Sequence, residues 1–344
     1  MILDSIKISP YELTFNKQYS NSKFSISSRE GWIISISSNG IYGYGDCCPL
    51  DQFSEESYEQ SGYGLEGFKL SIDKVEEIDF EELMYLAEAH GESQPSVQFA
   101  IESAIYDLCS KIEKIPLNRF LNKDSKTSVK VNYYQESQIE PFKNIVIKLK
   151  MMGDNLFNDV EIVDRVLDQF QGMAKLRLDF NGSMDLTKAI RFCKMLEGKS
   201  IDYLEQPLSK NNFEDMYELT LHTDIPIAAD EMLTDVDSLN KVLDYQCADV
   251  FILKPMLIGG IIRCREMIKI INLESKRYNI SSLLESNIGR LSYLHLASAS
   301  NILEASGIAT NLFFNNDICD FPELINGIIK INNNPGIGVN EINL

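Results

Sequence analysis

Five segments decide the fold: NIVIKLKM (144–151), AKLRLDF (174–180), IDYLEQP (201–207), IPIAADE (225–231) and ADVFILKP (248–255). Each is a short apolar run with a charged residue near its carboxyl end, and amphipathic helical patterns lie between the runs. Similar runs precede and follow them, namely VKVNYY (129–134), ISSLLES (280–286) and IATNLFF (308–314). Eight strands that alternate with helices predict a (β/α)₈ barrel.

The segments that flank this region have a different pattern. KFSISS and GWIISISSNGIYGYG alternate polar and apolar residues around Asn39-Gly40, which predicts β-hairpins. A helix is predicted next, because apolar residues recur at helical spacing from Val97 to Leu108. The last residues return to β-like alternation with Pro and Gly turns. We therefore predict an α+β capping domain of residues 1–110, to which residues 319–344 return, and a barrel domain of residues 111–318.

Composition and charge restrict the partners. The 344 residues carry a net charge of −19, and a polyanion is repelled by nucleic-acid phosphates and by anionic lipid. The N-terminus lacks the apolar stretch of a signal peptide, and no apolar stretch reaches the roughly 18 residues that span a membrane. Seven cysteines without a C-x-x-C pair indicate buried thiols. We therefore expect a reduced cytoplasmic protein that binds neither nucleic acid nor membranes.

Charged residues near the carboxyl ends of the runs are candidates for a shared site. In a β/α barrel the site lies at those ends, and five of the candidates follow one another at intervals of 24 to 29 residues, about one β/α unit. A single acid at a strand end more often caps a helix, but five positions at this spacing favour a site. The candidates are Lys148, Lys150, Arg177, Asp179, Asn181, Glu205, Asp230, Glu231 and Lys254.

Three of these acids suit one hard divalent cation. Asp179, Glu205 and Asp230 offer carboxylate oxygens from consecutive strands, and Mg²⁺ binds a few carboxylates while it leaves other positions to water and substrate. Lys150 and Lys254 are expected on opposite sides of that ion. There a lysine can remove a proton next to a carboxylate while the metal holds the resulting enolate. We expect the neighbouring Lys148 and the metal to lower the pKa of Lys150 toward neutrality.

The same residues resemble the enolase superfamily, in its muconate lactonizing enzyme subgroup. That subgroup carries K-x-K, D-x-N, E-Q-P, D-E and K-P on strands two to six, and here these positions read KLK, DFNG, LEQPL, ADEM and LKP. GYGDCCPLDQFSEES and SVQFAIESAIYDL resemble the capping segment and the helix that follows it. Within the subgroup, ILKPMLIGG, SSLLESNIGRLSYLHLASA and NLFFNND are most similar to the o-succinylbenzoate synthases.

The resemblance implies a modified (β/α)₈ barrel of the enolase type. It implies dehydration of 2-succinyl-6-hydroxy-2,4-cyclohexadiene-1-carboxylate to 2-succinylbenzoate in menaquinone biosynthesis. Lys150 would abstract the proton and return it to the departing hydroxyl, with Lys148 beside it, and Lys254 would stabilise the enolate. Mg²⁺, or Mn²⁺ in its place, would bind the three acids. The groups expected to approach this small anionic carboxylate are Asn181, Arg177, Ser281 and Ser282.

Other activities stay open. N-acylamino acid racemases and dipeptide epimerases use the same two lysines, and muconate cycloisomerases share the scaffold. Dipeptide epimerases of the subgroup carry a D-x-D after the last strand, where this chain reads NLFFNNDICD (311–320). A barrel that only binds a ligand would be expected to lose a metal ligand or a lysine, and this chain keeps them all. Asp46 in place of Glu, Met256 after the K-P pair and VNYYQES (131–137) on the first strand depart from the family, and each can alter the substrate pocket.

Overall fold

The structure is a computed structural model that describes residues 1–20, 24–73, 75–134, 140 and 142–344. An antiparallel sheet opens the chain and is followed by three helices. Its strands are β1 (Ser5–Ser20), β2 (Ser25–Ser38) and β3 (Ile41–Cys47), and the helices are α1 (Tyr58–Ile72), α2 (Phe80–Gly91) and α3 (Pro95–Ile112). Asn39 and Gly40 both have positive φ, as a type I′ hairpin turn requires. The predicted hairpin and the predicted helix are confirmed.

Helix α3 crosses β3 at very short range because glycines face it. A Cβ on Gly43 would lie 2.2 Å from the carbonyl oxygen of Ala104, and a Cβ on Gly45 would lie 1.8 Å from that of Ala100. Only glycine allows this approach of two backbones. The GYGD segment, which resembles part of a capping domain, is therefore the surface against which helix α3 packs.

A parallel sheet of six strands forms most of the barrel, in the order β5 to β10. Helix α4 (Leu117–Leu121) and β4 (Ser128–Lys130) precede it. The strands are β5 (Ile145–Lys150), β6 (Ala174–Asp179), β7 (Ile201–Glu205), β8 (Ile227–Ala229), β9 (Val250–Leu253) and β10 (Arg277–Ile280). The helices are α5 (Leu156–Gln169), α6 (Leu186–Met195), α7 (Phe213–Thr220), α8 (Val236–Asp244), α9 (Pro255–Ile258), α10 (Ile261–Leu273) and α11 (Asn287–Ala299).

The first and the eighth strand positions complete the barrel through isolated parallel bridges. Tyr133 pairs with Ile147, Val131 with Ser306, and Ser281 with Gly307. The first predicted strand therefore lies in the barrel, although residues 135–137 of its VNYYQES segment are outside the described residues. The architecture is a modified (β/α)₈ barrel with an α+β cap, as predicted.

The last two predicted strands were misplaced. The seventh strand is Arg277–Ile280, so it ends where the ISSLLES run begins. Most of the IATNLFF run is not a strand, because Thr310–Phe313 forms a 3₁₀ turn and the pairing residues are Ser306 and Gly307. A Cβ on Gly307 would lie 2.7 Å from Oγ of Ser281, so a side chain at this barrel position would displace the Ser281 hydroxyl. Such a position carries no apolar pattern.

The C-terminal residues return to the cap by an indirect route. Strands β11 (Leu324–Ile325) and β12 (Ile328–Lys330) form an antiparallel sheet with β4 rather than with the first sheet. Beyond them, the amide of Ile337 donates to Asp107 of α3 at 2.8 Å, and the hydroxyl of Tyr44 donates to the carbonyl of Asn340 at 3.1 Å. The division at residues 110 and 318 stays a proposal.

The cysteines are free thiols rather than disulfides, and six of the seven are buried. Burial raises the pKa of the Cys48 thiol to about 12, which keeps it protonated at neutral pH. The burial of six cysteines therefore fits the predicted packing role for those thiols.

Among the described residues, no helix is both long enough and apolar enough to cross a membrane.

Glu102 of α3 joins the cap to the barrel. Its carboxylate is buried and accepts the amides of Ile261 and Ile262, at 2.8 and 3.1 Å, in the first turn of α10. Gln98 donates to the same carboxylate at 3.1 Å. Burial raises the pKa of Glu102 to about 7 against these hydrogen bonds. The cap–barrel junction therefore contains a carboxyl group that titrates near neutrality.

We expect Glu102→Gln to change the pH dependence of stability. The folded protein holds the proton of Glu102 up to about pH 7, whereas the unfolded chain releases it near pH 4.5. The wild type therefore loses unfolding free energy relative to the variant as pH rises through this window, by about 2–3 kcal/mol between pH 5 and 8. Urea unfolding of both proteins at the two pH values measures this. Parallel pH dependences would contradict the ionisation assigned to Glu102.

Candidate active site and metal centre

Three carboxylates converge at the carboxyl ends of neighbouring strands. Asp179 ends β6 and pairs in register with Glu205, which ends β7. Glu205 pairs with Ala228 of β8, and Asp230 lies two residues further on the same face. One oxygen from each acid lies within 4.8 Å of the others, and all three residues are buried. The three acids, which the regular spacing in the sequence predicted to share a site, therefore do lie close together.

Three lysines at the ends of two strands contact this triad. Lys148 of β5 lies 2.8 Å from Asp179 and donates to Glu205 at 2.6 Å. Lys150, two residues on and on the same face, donates to Asp179 at 2.6 Å. Lys254, which follows β9, donates to both oxygens of Asp230 at 2.5 and 2.6 Å. Lys150 and Lys254 thus approach the triad by way of different acids.

Burial and close charges perturb these groups strongly. Burial is the largest single effect and lowers the pKa of Lys150, but Asp179, Tyr19 and Glu205 together raise the pKa above its ordinary value. Asp179 and Glu205 raise that of Lys148 in the same way. Burial opposes ionisation of Asp179, yet the two lysines hold its pKa well below its usual range. Lys148 lowers the pKa of Lys150 in the predicted direction, but more weakly than Asp179 raises it, and the lowering expected from a bound metal stays a prediction.

The donor set fits a divalent cation. Burial, together with the charge of Asp179, raises the pKa of Glu205 to about 8. Oε2 of Glu205 is buried and has no hydrogen-bond partner among the described residues. A cation bound by the three carboxylates would contact this oxygen and offset the repulsion between Glu205 and Asp179. Three carboxylates without nitrogen or sulfur ligands are the donors that Mg²⁺ prefers.

A small cavity of about 40 Å³ lies above the triad. Space for a few waters is too little for an organic substrate, so side chains above the triad must move for one to enter. Charged and polar groups of the lining are Lys148, Lys150, Asp179, Asn181, Asp230, Lys254, Ser281, Ser282 and Thr310. The remaining lining side chains are apolar or aromatic, namely Tyr19, Phe24, Leu50, Phe53, Tyr134, Leu283, Leu284 and Phe313.

The two serines differ in how their hydroxyls are engaged. Oγ of Ser282 donates to Glu285 at 2.7 Å, lies 2.7 Å from Oγ1 of Thr310 and accepts the amide of Leu284 at 3.0 Å. The hydroxyl of Ser281 makes a long contact of 3.5 Å with the carbonyl of Gly307 and a further contact with the hydroxyl of Tyr134. Ser281 therefore keeps more capacity to bind a ligand than Ser282.

Arg177 does not line the cavity. It shares the inner face of β6 with Asp179 but lies two residues deeper in the barrel. Its guanidinium donates to Asp202 at 2.9 Å and to the carbonyl of Ala305 at 2.6 Å. These partners neutralise a fully buried cation. The alternation of side chains along the strand placed Arg177 correctly on the inner face, but its depth in the barrel was not predicted. We therefore remove Arg177 from the candidate substrate contacts.

Two of the three departures from the family pattern, Asp46 and Met256, lie outside the cavity, whereas Tyr134 of the third departure lines it. Asp46 is buried and accepts the hydroxyl of Tyr11 at 2.7 Å and the amide of Ser286 at 2.8 Å. The sulfur of Met256 accepts the amide of Cys48 at 3.3 Å. Both residues join the cap to the barrel rather than form the pocket.

Sequence reasoning missed the aromatic roof of the cavity. Tyr19 and Phe24 lie at the hairpin end of β1 and β2, and Phe53 follows β3. The ring of Phe53 lies 4.9 Å from Nζ of Lys254, within the range of a cation–π contact. In the sequence, Phe53 belongs to QFSEES, a part of the segment that resembles a capping domain. That resemblance did not indicate that the phenylalanine covers the site.

Comparison with known families identifies both parts of the chain. Residues 142–341 match the family described as "Enolase C-terminal domain-like". Residues 4–108 match "MenC, N-terminal domain". The first match covers more than half of the chain and contains the triad and the three lysines. The second contains the aromatic residues of the cap that cover the cavity.

Individual relatives have several activities. The o-succinylbenzoate synthase of Thermobifida fusca is 29% identical over 187 residues, which are 54% of this chain and 57% of that protein. Muconate cycloisomerase 1 of Acinetobacter baylyi is 24% identical over 322 residues, 88% of this chain and 87% of that enzyme. The L-Ala-D/L-Glu epimerase of Clostridium acetobutylicum is 22% identical over the full length of both chains.

Solved structures share the fold. The substrate-liganded L-Ala-D/L-Glu epimerase of Bacillus subtilis superimposes with a TM-score of 0.89 at 21% identity, with both chains covered completely. The muconate lactonizing enzyme of Pseudomonas fluorescens gives 0.84 at 21% identity and covers 100% of this chain and 96% of its own. These likenesses extend to the cap as well as the barrel. Together with the family match over residues 142–341, they show that the chain belongs to the enolase superfamily.

Proposed function

We propose that the chain is a Mg²⁺-dependent o-succinylbenzoate synthase. It would remove water from 2-succinyl-6-hydroxy-2,4-cyclohexadiene-1-carboxylate in menaquinone biosynthesis. The observation that carries the proposal is the composition of the cavity. Its cations are Lys148, Lys150 and Lys254, its roof is aromatic, and its described lining contains no acid besides Asp179 and Asp230.

This lining suits a carbocyclic anion better than a dipeptide. A dipeptide brings an ammonium group, which needs an acid outside the metal site. The first acids that follow the last barrel position are Asp317, Asp320 and Glu323, and none of them is in the lining. Asp317 is already paired with the buried Arg290. The match of residues 4–108 to a MenC domain supports the same choice, because that segment supplies Tyr19, Phe24 and Phe53 of the roof.

The lysines would divide the chemistry between them. Lys150 takes the proton from the carbon that bears the ring carboxylate, and the bond from the ring to the 6-hydroxyl breaks. The same lysine returns the proton to the departing hydroxyl, so that water leaves and the ring becomes aromatic. Lys254 keeps its proton and stabilises the enolate from the side of Asp230. A bound Mg²⁺ supplies the Lewis acid that stabilises the enolate oxygens.

Racemisation is the second candidate. It needs a lysine on each face of the substrate, and Lys150 and Lys254 do reach the cavity from different strands, β5 and β9. In D₂O, a Lys254→Ala variant is then expected to exchange the α-proton of an N-acylamino acid from one side only, through Lys150.

A comparison of two substrate classes tests the proposal. We expect the Mg²⁺-loaded wild type to dehydrate the cyclohexadiene, followed by its absorbance, with a far higher kcat/KM than it racemises N-acylamino acids or epimerises dipeptides, followed by NMR in D₂O. Lys254→Ala serves as the control that separates two-sided from one-sided exchange. Efficient racemisation together with an untouched cyclohexadiene would overturn the synthase proposal and leave the barrel and the metal centre as described.

A further inference from the structure

Asn181 occupies a left-handed turn directly above the triad. Its φ is +48°, and the following Gly182 has φ of +75°. The amide of Asn181 donates to Asp179 at 3.1 Å, which stabilises the turn. Asparagine tolerates this backbone region better than most residues, so the turn alone could account for its presence. The contacts of its side chain go beyond what a turn requires.

The side chain of Asn181 lies between a base and an acid. Its Oδ1 accepts a hydrogen bond from Nζ of Lys150 at 2.9 Å. Its Nδ2 donates to Oε1 of Glu231 at 3.0 Å. Asn181 and Glu231 are both buried, with 2% and 5% of their surfaces exposed. Glu231, Asn181 and Lys150 therefore form one hydrogen-bonded chain that joins the ends of β8, β6 and β5.

The acid at position 231 determines which end of the asparagine amide faces the lysine. A carboxylate accepts and cannot donate, so it selects the NH₂ end of the amide. The oxygen is thereby turned toward Lys150. A reversed amide would present NH₂ to an ammonium group, and both groups are donors. The acceptor oxygen at position 231 and the ammonium of Lys150 therefore both favour this orientation of the buried amide.

This anchor matters because the other partner of Lys150 belongs to the triad. Asp179 contacts Lys150 at 2.6 Å, but it is also one of the three acids proposed to bind a cation. A base must be held within hydrogen-bond reach of the proton that it removes. Asn181 is the second acceptor of Lys150 and is not itself an acid of the triad.

We propose that Glu231 is a positioning residue that orients the Asn181 amide and, through it, holds Lys150 in place for proton abstraction. This inference rests on the proposed function only in so far as Lys150 is the base. It changes the predicted role of Asn181 from a substrate contact to an anchor for the lysine. It also gives a task to the glutamate of the ADEM segment that metal binding leaves unassigned.

A double-mutant cycle tests the proposal. The variants are Glu231→Met, which keeps the length of the side chain without an acceptor oxygen, Asn181→Gly, which keeps the left-handed turn, and both together. Each single variant is expected to lower kcat roughly 10- to 100-fold through misplacement of the base, with a much smaller change in KM. The double variant is expected to lose no more than Asn181→Gly alone, because Glu231 acts through that amide.

Two controls separate positioning from other roles. Glu231→Gln retains an acceptor oxygen at the same distance and is expected to restore most of the rate lost in Glu231→Met. Mg²⁺ binding, measured by calorimetry, is expected to stay close to that of the wild type in Glu231→Met. An effect transmitted through the neighbouring Asp230 would instead weaken Mg²⁺ binding about 10- to 100-fold.

Several outcomes would overturn the proposal. One is additive losses in the double variant, and another is a weakened metal site that accounts for the lost rate. The third is wild-type turnover in Asn181→Gly, which does not depend on the folding of Glu231→Met. If Glu231→Met does not fold, Glu231→Ala replaces it in the cycle. Failure of the proposed function gives a different result. An active Lys150→Ala variant would show that Lys150 is not the base, which the proposed function requires. An inactive Lys150→Ala beside a fully active Glu231→Met would refute the positioning role alone.

Discussion

Lys150→Ala is expected to lower kcat for dehydration by roughly 10²- to 10⁴-fold, the contribution of a positioned general base. Nζ of Lys150 is held by Asp179 and Asn181 at the edge of the cavity, and 29% of its side chain is exposed. Lys148 is also close to Asp179 but bridges it to Glu205 and is nearly buried. Lys150 is therefore the lysine of the K-x-K pair that a substrate can reach.

The loss should appear in turnover and not in stability. Asp179 keeps Lys148 as a counter-ion at 2.8 Å, so no buried charge is left without a partner. The free energy of unfolding is expected to change by about 1 kcal/mol or less, measured by urea denaturation. Lys175→Ala is a matched control. Lys175 is an exposed lysine of β6 that lies at the opposite end of the strand from Asp179, away from the site. A Lys150→Ala enzyme that retains substantial turnover would show that the base has been misassigned.

Removal of the divalent cation is expected to abolish turnover. The enolate needs a positive centre beside its oxygens, and the three acids of the triad are the described group that can hold one. Lys148 and Lys150 both contact the carboxylate of Asp179, so a ligand of the proposed metal site also contacts the base. Dialysis against EDTA should remove activity, and Mg²⁺ or Mn²⁺ should restore it.

Glu205→Gln provides the matched test of the same site. It keeps the size of the side chain and the contact to Lys148 but removes one negative charge from the triad. We expect weaker Mg²⁺ binding and a parallel loss of rate, measured by calorimetry and by the dehydration assay. Full activity in a thoroughly metal-free preparation would refute the metal-assisted mechanism as a whole.

The sequence was informative where one residue type recurs once per structural unit. Asp179, Glu205 and Asp230 follow consecutive strands, and strand spacing with strand parity was enough to bring them together. Parity gives the face of a strand but not the depth along the barrel axis. Arg177 was therefore placed on the correct inner face and at the wrong height, where Asp202 rather than a substrate neutralises it.

Elements without apolar side chains were not predictable in the same way. The eighth barrel position consists of Ser306 and Gly307, which pair with their neighbours through backbone bridges and contribute no apolar side chain. The apolar run that follows forms a 3₁₀ turn and contributes Phe313 to the roof of the cavity. The rest of the roof comes from the cap, more than 90 residues before the first site lysine. Contacts of this kind depend on tertiary packing, for which a single sequence has no periodic signal.

The most direct test of the account is the position of a bound metal ion. In crystals of the protein loaded with Mn²⁺, anomalous scattering is expected to show one peak bound by oxygens of Asp179, Glu205 and Asp230, at roughly 2.0–2.2 Å. Oε2 of Glu205, which has no hydrogen-bond partner among the described residues, should be one of the ligands. Saturating Mn²⁺ that binds elsewhere would contradict the account.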